Sequence, residues 1–180
     1  MRKIVVSEFM TLDGVVEAPH EWSFDYWSDD IGSFKQDELF ACDALLLGRI
    51  TYEGFAEAWP GRTDEDGYAD RINGLPKYVA SRTVEKAEWN ASVINENLAE
   101  ELARAKQEPG QDILVFGSAD LTHTLLQERL VDEFRLLVYP VVLGSGKRLI
   151  QDGLDKLGLR LVDTRSYDTG VVLLTYQLVS

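Results

Sequence analysis

Three short segments combine a glycine or a small hydroxyl with a cation or the start of a helix, the residue types that hold phosphate. Leu47-Gly48-Arg49-Ile50-Thr51 supplies a glycine that lets backbone approach a ligand, an arginine suited to bidentate bonds, and a hydroxyl at a helix start. Ala80-Ser81-Arg82-Thr83 repeats the hydroxyl and the arginine, and Phe116-Gly117-Ser118-Ala119-Asp120 repeats the glycine ahead of a helix. Each has a plainer alternative: Gly48 as a turn, Ser118 as a cap of its own helix, the arginines as ordinary surface charge. Their agreement at equivalent positions favours a bed for several phosphates. A fourth segment, Gly144-Ser145-Gly146-Lys147-Arg148, offers paired glycines for an anion-binding concavity, or a crossover at the end of a strand. None of the four matches the GxGxxG or GxxxxGK[ST] patterns.

Other polar and aromatic residues leave two readings open. Asp13 either bonds the substrate, relaying a proton through water, or is a turn residue ahead of Gly14. Trp22, Phe24, Trp27 and Trp59 either stack on a planar ring or seal a core or a dimer contact. His20 reads as solvent-facing, His123 as structural or exposed, and Cys42 as a small buried apolar group. The acidic residues show no metal-ligand spacing, so no metal is expected.

The elements that must position these groups follow from hydrophobic period. Strands are predicted at 3–9, 44–47, 77–80, 92–94 and 113–116, and a long one from about 131 to 138. Helices are predicted at 30–41 (capped by Asp29 or Asp30), 51–59, within 61–75, at 97–107, and after Gly117-Ser118. Residues 10–29 form an unusually long loop. Segments 159–167 and 171–178, split by Asp168-Thr169-Gly170, read as a hairpin. Strands alternating with helices and then a terminal hairpin describe an α/β domain, its mainly parallel sheet gaining antiparallel edge strands. In such a sheet ligands bind beyond the carboxyl ends of the strands, where the three phosphate-type segments fall.

Composition bounds the class. The chain has 180 residues, with 31 acidic and 18 basic side chains and a net charge of −13, as expected of one acidic globular domain. That field disfavours nucleic acid and anionic membranes as partners. One cysteine excludes an intrachain disulfide and a multi-cysteine zinc site. Glu8 and Asp13 come too early for a signal-peptide core, and no run reaches spanning length, so a cytoplasmic protein is expected.

The segments Ser7–Val15, Ala44–Glu53, Leu75–Thr83, Asp112–Ala119 and Val131–Leu136 through Pro140–Lys147, taken in order, resemble the dihydrofolate reductase-like proteins related to the C-terminal reductase domain of bacterial riboflavin biosynthesis enzymes. The resemblance covers nearly the whole chain. It implies a dihydrofolate reductase-like three-layer fold, a homodimer, and NADPH bound along the strand ends. Carried over, Gly48, Arg49 and Thr51 would meet cofactor phosphates or the adenosine ribose, and Ser81 and Arg82 the 2′-phosphate. Gly117, Ser118 and Ala119 would hold the pyrophosphate. Residues 11–14, with Asp13 as the catalytic candidate, would lie by the nicotinamide, with Trp22, Gly144, Gly146 and Lys147 on the substrate side. Dihydrofolate reductases proper carry an acid early in the first helix; here Gly32 falls near that position, with Asp29, Asp30 and Asp37 nearby. The implied substrate is therefore a small planar heterocycle, pterin-like or ribosylaminopyrimidine-like. Two alternatives stay open: a nucleotide-binding homodimer without turnover, and a structural dimer whose aromatic loop is interface.

Overall fold

The apolar runs Ile4-Val5-Val6, Leu45-Leu46-Leu47 and Ile113-Leu114-Val115 lie side by side, almost inaccessible to solvent, at the middle of one eight-stranded sheet. The computed structural model describes residues 1–180. The strands are β1 (Ile4–Thr11), β2 (Cys42–Gly48), β3 (Lys77–Ala80), β4 (Ala91–Ile94), β5 (Asp112–Phe116), β6 (Glu133–Tyr139), β7 (Leu159–Ser166) and β8 (Val172–Leu178). Their order is β4-β3-β2-β5-β1-β6-β8-β7. The first six in that order run parallel, β8 adds antiparallel to β6, and β7 pairs antiparallel with β8 at the edge. Runs that are apolar without alternation are what a sheet covered on both faces requires.

Five helices cover the sheet: α1 (Asp29–Phe40), α2 (Arg49–Ala58), α3 (Tyr68–Gly74), α4 (Leu98–Gln107) and α5 (Ala119–Gln127). Leu102, Ala105, Leu121 and Leu125 bring α4 and α5 onto the face presented by Ile4, Val6, Leu46 and Val115. Leu39, Tyr52 and Ile72 bring α1, α2 and α3 onto the face of Val5, Leu45, Leu47 and Leu114. The cap of α1 is Ser28, whose Oγ accepts the Ile31 N–H at 3.3 Å, one residue earlier than the aspartates expected for that job.

The long loop after β1 is not structureless. It holds two 3₁₀ turns, Pro19–Glu21 and Phe24–Tyr26, and folds Trp22 into a third cluster with Ile31, Leu137, Tyr139, Val171 and Leu173. The terminal hairpin forms as the alternation predicts, but β7 is exposed along its whole length.

These connections create a crevice. From β1 the chain runs through α1 to β2 on one side, while from β5 it runs through α5 to β6 on the other, on the opposite face. Adjacent strands that leave in opposite directions open a cleft at their carboxyl ends. Here β1 also outlasts its neighbour: pairing with β5 stops at Ser7↔Phe116, whereas pairing with β6 continues to Thr11↔Tyr139. Residues 8–10 therefore lie beyond the last β5 partner beside the turn into α5, and Thr11 is closed off by the Val15 carbonyl and the Gly14 N–H.

Candidate active site

Glycine and hydroxyl groups from two strand ends meet in one junction. β2 and β5 are neighbours, so the turns that follow them touch: Ser118 Oγ accepts the Gly48 N–H at 2.8 Å and lies 3.1 Å from Thr51 Oγ1. The packing explains the glycines. A Cβ on Gly48 would stand 3.0 Å from Ser118 Oγ, and one on Gly117, at φ +57°, would stand 2.5 Å from Thr51 Oγ1. Ser118 does not cap its own helix, since its side chain is turned to β2; neither α2 nor α5 has a side-chain cap. Two helix N-termini thus adjoin with their first N–H groups free of side-chain partners, and Ala119 opens the second of them.

Beyond β3, Ser81 Oγ accepts the N–H groups of Thr83 and Val84 at 3.2 and 3.1 Å, which shapes the turn rather than offering a free hydroxyl. Arg82 has no carboxylate within ion-pair distance and lines a polar cavity of about 450 Å³ with Asn95, Glu96 and Asn97, at the ends of β3 and β4. Arg49, in contrast, pairs with Glu53 at 3.0 Å on the surface of α2. A second cavity, about 510 Å³, is lined by Tyr52, Ala56, Pro60, Lys86, Glu88 and Trp89. Its last residues lead into β4 rather than out of a strand, away from the crevice.

The geometry gives Asp13 a different task from proton relay. Its carboxylate accepts from Thr11 Oγ1 at 2.6 Å and from the N–H groups of Leu143 and Gly144 at 3.3 and 2.8 Å, with Arg148 3.7 Å away. The Thr11 hydroxyl, then the backbone N–H groups, hold its pKa down at about 2. A carboxylate so occupied clamps residues 141–146 to the end of β1 and stays ionised. Gly146, at φ +123°, lies so close to Val15 that a Cβ would stand 2.7 Å from its Cγ1. Lys147 ties the same segment to α5, its Nζ bonding Asp120 at 2.6 Å and its N–H donating to Glu17 at 2.9 Å.

Trp22 is also displaced from the substrate role expected of it. Its ring packs edge-on to Tyr139 at 5.3 Å and its Nε1–H donates to the Glu17 carbonyl at 3.0 Å, so burial and a satisfied donor place it in the core. Trp27 is the loop tryptophan that stays half open, edge-on to Phe9 at 6.3 Å. Cys42 is buried as expected, and burial pushes its thiol up to about 12.

Beneath the crevice lies a buried charge cluster that the sequence reading missed. Lys35 bonds Ser7 Oγ at 3.1 Å and pairs closely with Glu38, over the Phe116 ring (4.3 Å) and beside that of Phe9 (5.3 Å). Ser7 Oγ donates to Glu38 at 2.8 Å, and Arg135 approaches Glu38 at 3.6 Å while bonding Glu133 at 2.8 Å. Glu8 is buried with Oε1 unpartnered. Burial pushes its carboxyl well above the usual range, against the opposing pull of the Lys35 ammonium and the Gly117 N–H. A Lys three residues before a Glu on a helix reads as surface pairing; only the signal of Ser7 at their level in β1 separates the two cases.

Comparison with known proteins fixes the lineage. The model of the RibD C-terminal domain family matches residues 2–173. The chain belongs to that family. This RibD C-terminal domain protein is 36 % identical over 179 residues to the uncharacterized protein YyaP of Bacillus subtilis (strain 168), covering 97 % of this chain and 94 % of the other. It is 32 % identical over 176 residues to YwjB of the same organism, covering 96 % of each. A candidate riboflavin biosynthesis protein of Shewanella sp. PV-4 shares its fold with a TM-score of 0.79 at 18 % identity, over 99 % of both chains. The Thermotoga maritima diaminohydroxyphosphoribosylaminopyrimidine deaminase/5-amino-6-(5-phosphoribosylamino)uracil reductase aligns with a TM-score of 0.68 at 15 % identity, over 99 % of this chain and 57 % of that one. The family and these neighbours identify a dihydrofolate reductase-like fold.

Proposed function

We propose that this RibD C-terminal domain protein is an NADPH-dependent reductase acting on a small planar heterocyclic substrate, pterin-like or ribosylaminopyrimidine-like. The observation that carries the reading is the junction of Gly48, Thr51, Gly117 and Ser118, where two uncapped helix N-termini adjoin. These residues fit a dinucleotide. The N–H groups of α5 from Ala119 onward and the space left by Gly117 suit the pyrophosphate, and Gly48, Arg49 and Thr51 suit the other phosphates or the adenosine ribose. Ser81 shapes the turn that presents Arg82, the free cation suited to a 2′-phosphate.

When bound, the reduced nicotinamide supplies hydride, and the chain supplies position and exclusion of water. The edge of residues 8–10 left without a β5 partner orients the ring by backbone bonds, while Phe9 and Trp27 keep that wall dry. Asp13 acts as a positioning residue for the substrate-side segment carrying Gly144, Gly146 and Lys147. Of the two carboxyls near the end of β1, Glu8 is the one that burial biases toward its protonated form, whereas the bonds to Asp13 favour its ionised form.

Titration of NADPH and NADH against tryptophan fluorescence tests the reading. Saturable quenching is expected, tighter with NADPH, and its absence with both nucleotides overturns the proposal. Arg82→Ala should reduce the preference for NADPH by tenfold or more; an unchanged preference moves the 2′-phosphate to Arg49. The second reading, a nucleotide-binding homodimer without turnover, is favoured by one observation: the inward groups of α1, Lys35 and Glu38, are committed to each other. Nucleotide binding without reduced-nicotinamide consumption across pterins and aminopyrimidines would establish it. Pairing into a homodimer is part of both readings and is supported by the exposed Leu159, Leu161 and Val162 on β7. Light-scattering mass tests it. No helix is long and apolar enough to cross a membrane, in keeping with the proposed cytoplasmic site.

A further inference from the structure

The cations of the crevice are already engaged on the side away from Arg82. Arg148 donates through Nε to the Asp13 carbonyl at 3.0 Å and stands 3.7 Å from its carboxylate. Lys147 bonds Asp120. Deeper in, Lys35 and Arg135 are held by Glu38 and Glu133. Exposed ion pairs are individually weak and a phosphate competes with them readily. The Asp13 carboxylate differs because Thr11, Leu143 and Gly144 hold it in place, so it cannot swing away to release Arg148. A phosphate arriving on this side meets a fixed negative charge.

The same wall is apolar where it meets solvent. Leu12 and Val142 are 68 % and 67 % exposed, and Leu143 is 43 % exposed. The two segments that carry them are tied side by side, since Leu12 N–H donates to the Val141 carbonyl at 2.9 Å and Leu143 N–H to Asp13. Trp27, 44 % exposed and backed by Phe9, adds an aromatic surface near the same strand. Apolar side chains gathered at strand carboxyl ends mark a contact site rather than ordinary surface.

We infer that the substrate of this site is an uncharged planar ring compound without a phosphate group, received by the Leu12–Val142–Leu143 lip and Trp27. The inference rests on the reductase reading and narrows it: of the two substrate types proposed above, a phosphoribosylated pyrimidine is excluded and an unphosphorylated ring is retained. Charge complementarity selects the occupant. The free cation lies on the adenosine side, and the substrate side offers apolar surface and a pinned carboxylate.

The test uses the full chain saturated with NADP⁺ and two probes that share one ring system, riboflavin and riboflavin 5′-phosphate, with menadione as a second uncharged ring. Riboflavin and menadione should saturate, and riboflavin 5′-phosphate should bind at least tenfold more weakly. Val142→Ser should weaken riboflavin roughly threefold to tenfold, with circular dichroism and NADPH affinity unchanged, and Leu12→Ser should weaken riboflavin by a similar factor. Asp13→Asn should narrow the gap between the two flavins. Equal or tighter binding of the phosphorylated probe overturns the inference, as does failure of both uncharged rings to saturate a protein that binds NADPH. A Val142→Ser effect on molecular mass without one on riboflavin also overturns it, by assigning the lip to another chain. Failure of NADPH and NADH to bind overturns the reductase reading instead, and the flavin pair, run also without nucleotide, still judges the lip.

Discussion

Ser118 accepts the backbone N–H of Gly48 at 2.8 Å, joining turns that are 70 residues apart in the chain. That hydroxyl satisfies the donor of the last residue of β2 and leaves the N–H groups of its own helix without a side-chain cap. The cost of the arrangement is conformational, since Ser118 sits at φ +65° and Gly117 at φ +57°. Backbone strain of this kind persists where surrounding structure enforces it, and the turn is enforced by Thr51 against Gly117 and by Gly48 against Ser118.

Ser118→Ala should therefore lower stability by about 1–2 kcal/mol, because the Gly48 N–H loses its acceptor. Gly117→Ala should cost at least as much, through its left-handed backbone and the 2.5 Å approach of the new Cβ to Thr51 Oγ1. Both should weaken NADPH about tenfold or more. Adding Thr51→Ala to Gly117→Ala should recover part of the stability, because it removes the clash and leaves the backbone strain. Urea unfolding and fluorescence titration measure these effects, and a Gly117→Ala protein with unaltered stability and binding would refute the account of this turn.

A second consequence concerns the buried charges. Lys35→Met leaves Glu38 in the interior with Ser7 and the more distant Arg135 as its remaining partners, so a loss of about 3 kcal/mol is expected. Lys35→Met/Glu38→Gln should recover most of that loss, since neither charge then stays buried alone. Strict additivity of the two substitutions in thermal unfolding would show that the pair does not act as a unit.

The family and the sheet were legible in the chain because their signals are local. Leu45-Leu46-Leu47 and Ile113-Leu114-Val115 can be little else than covered strands, and the Gly48 and Gly117 segments fall where an α/β fold places ligands. What stayed hidden depends on partners remote in sequence. Asp13 looks like a turn aspartate until Leu143 and Gly144 arrive from the far end of β6, and nothing near Trp22 announces Tyr139 as its neighbour. Glu8 served in the sequence only as a charge that interrupts an apolar run; its burial follows from its pairing with Leu136 of β6 and the approach of Gly117 beyond β5. β7 carries the alternation of a half-covered strand, yet every one of its residues is exposed.

Asp13 should reveal its role under acid. Its folded pKa of about 2 lies below the ordinary 3.8, so the clamp stabilises the fold when the carboxyl is ionised. The contribution is present above the unfolded value and fades as pH falls toward 2. Asp13→Asn should thus be less stable than the parent at pH 7, and the difference should shrink between pH 4 and pH 2. The variant should also loosen residues 141–146, raising amide exchange at Leu143 and Gly144. A stability difference independent of pH over that window would assign the loss to something other than the charge.

Lys77 gives the opposite dependence. It is 1 % exposed, donates to the Asn73 carbonyl at 2.9 Å and rests on the Trp89 ring at 3.9 Å, and burial lowers its pKa from 10.5 to about 8. Between those values the unfolded chain binds a proton that the folded protein has lost, so stability rises with pH across that interval. Below it, the fold carries the whole penalty of an enclosed ammonium, softened by the Asn73 carbonyl and the Trp89 face. Lys77→Met lacks this proton, and its stability should not follow that slope. From pH 8 to pH 10 the parent should gain on the order of 2 kcal/mol relative to Lys77→Met. Parallel stability curves for the two proteins would mean that the amine titrates in the fold as it does in water, and that the Trp89 and Asn73 contacts fully replace its hydration.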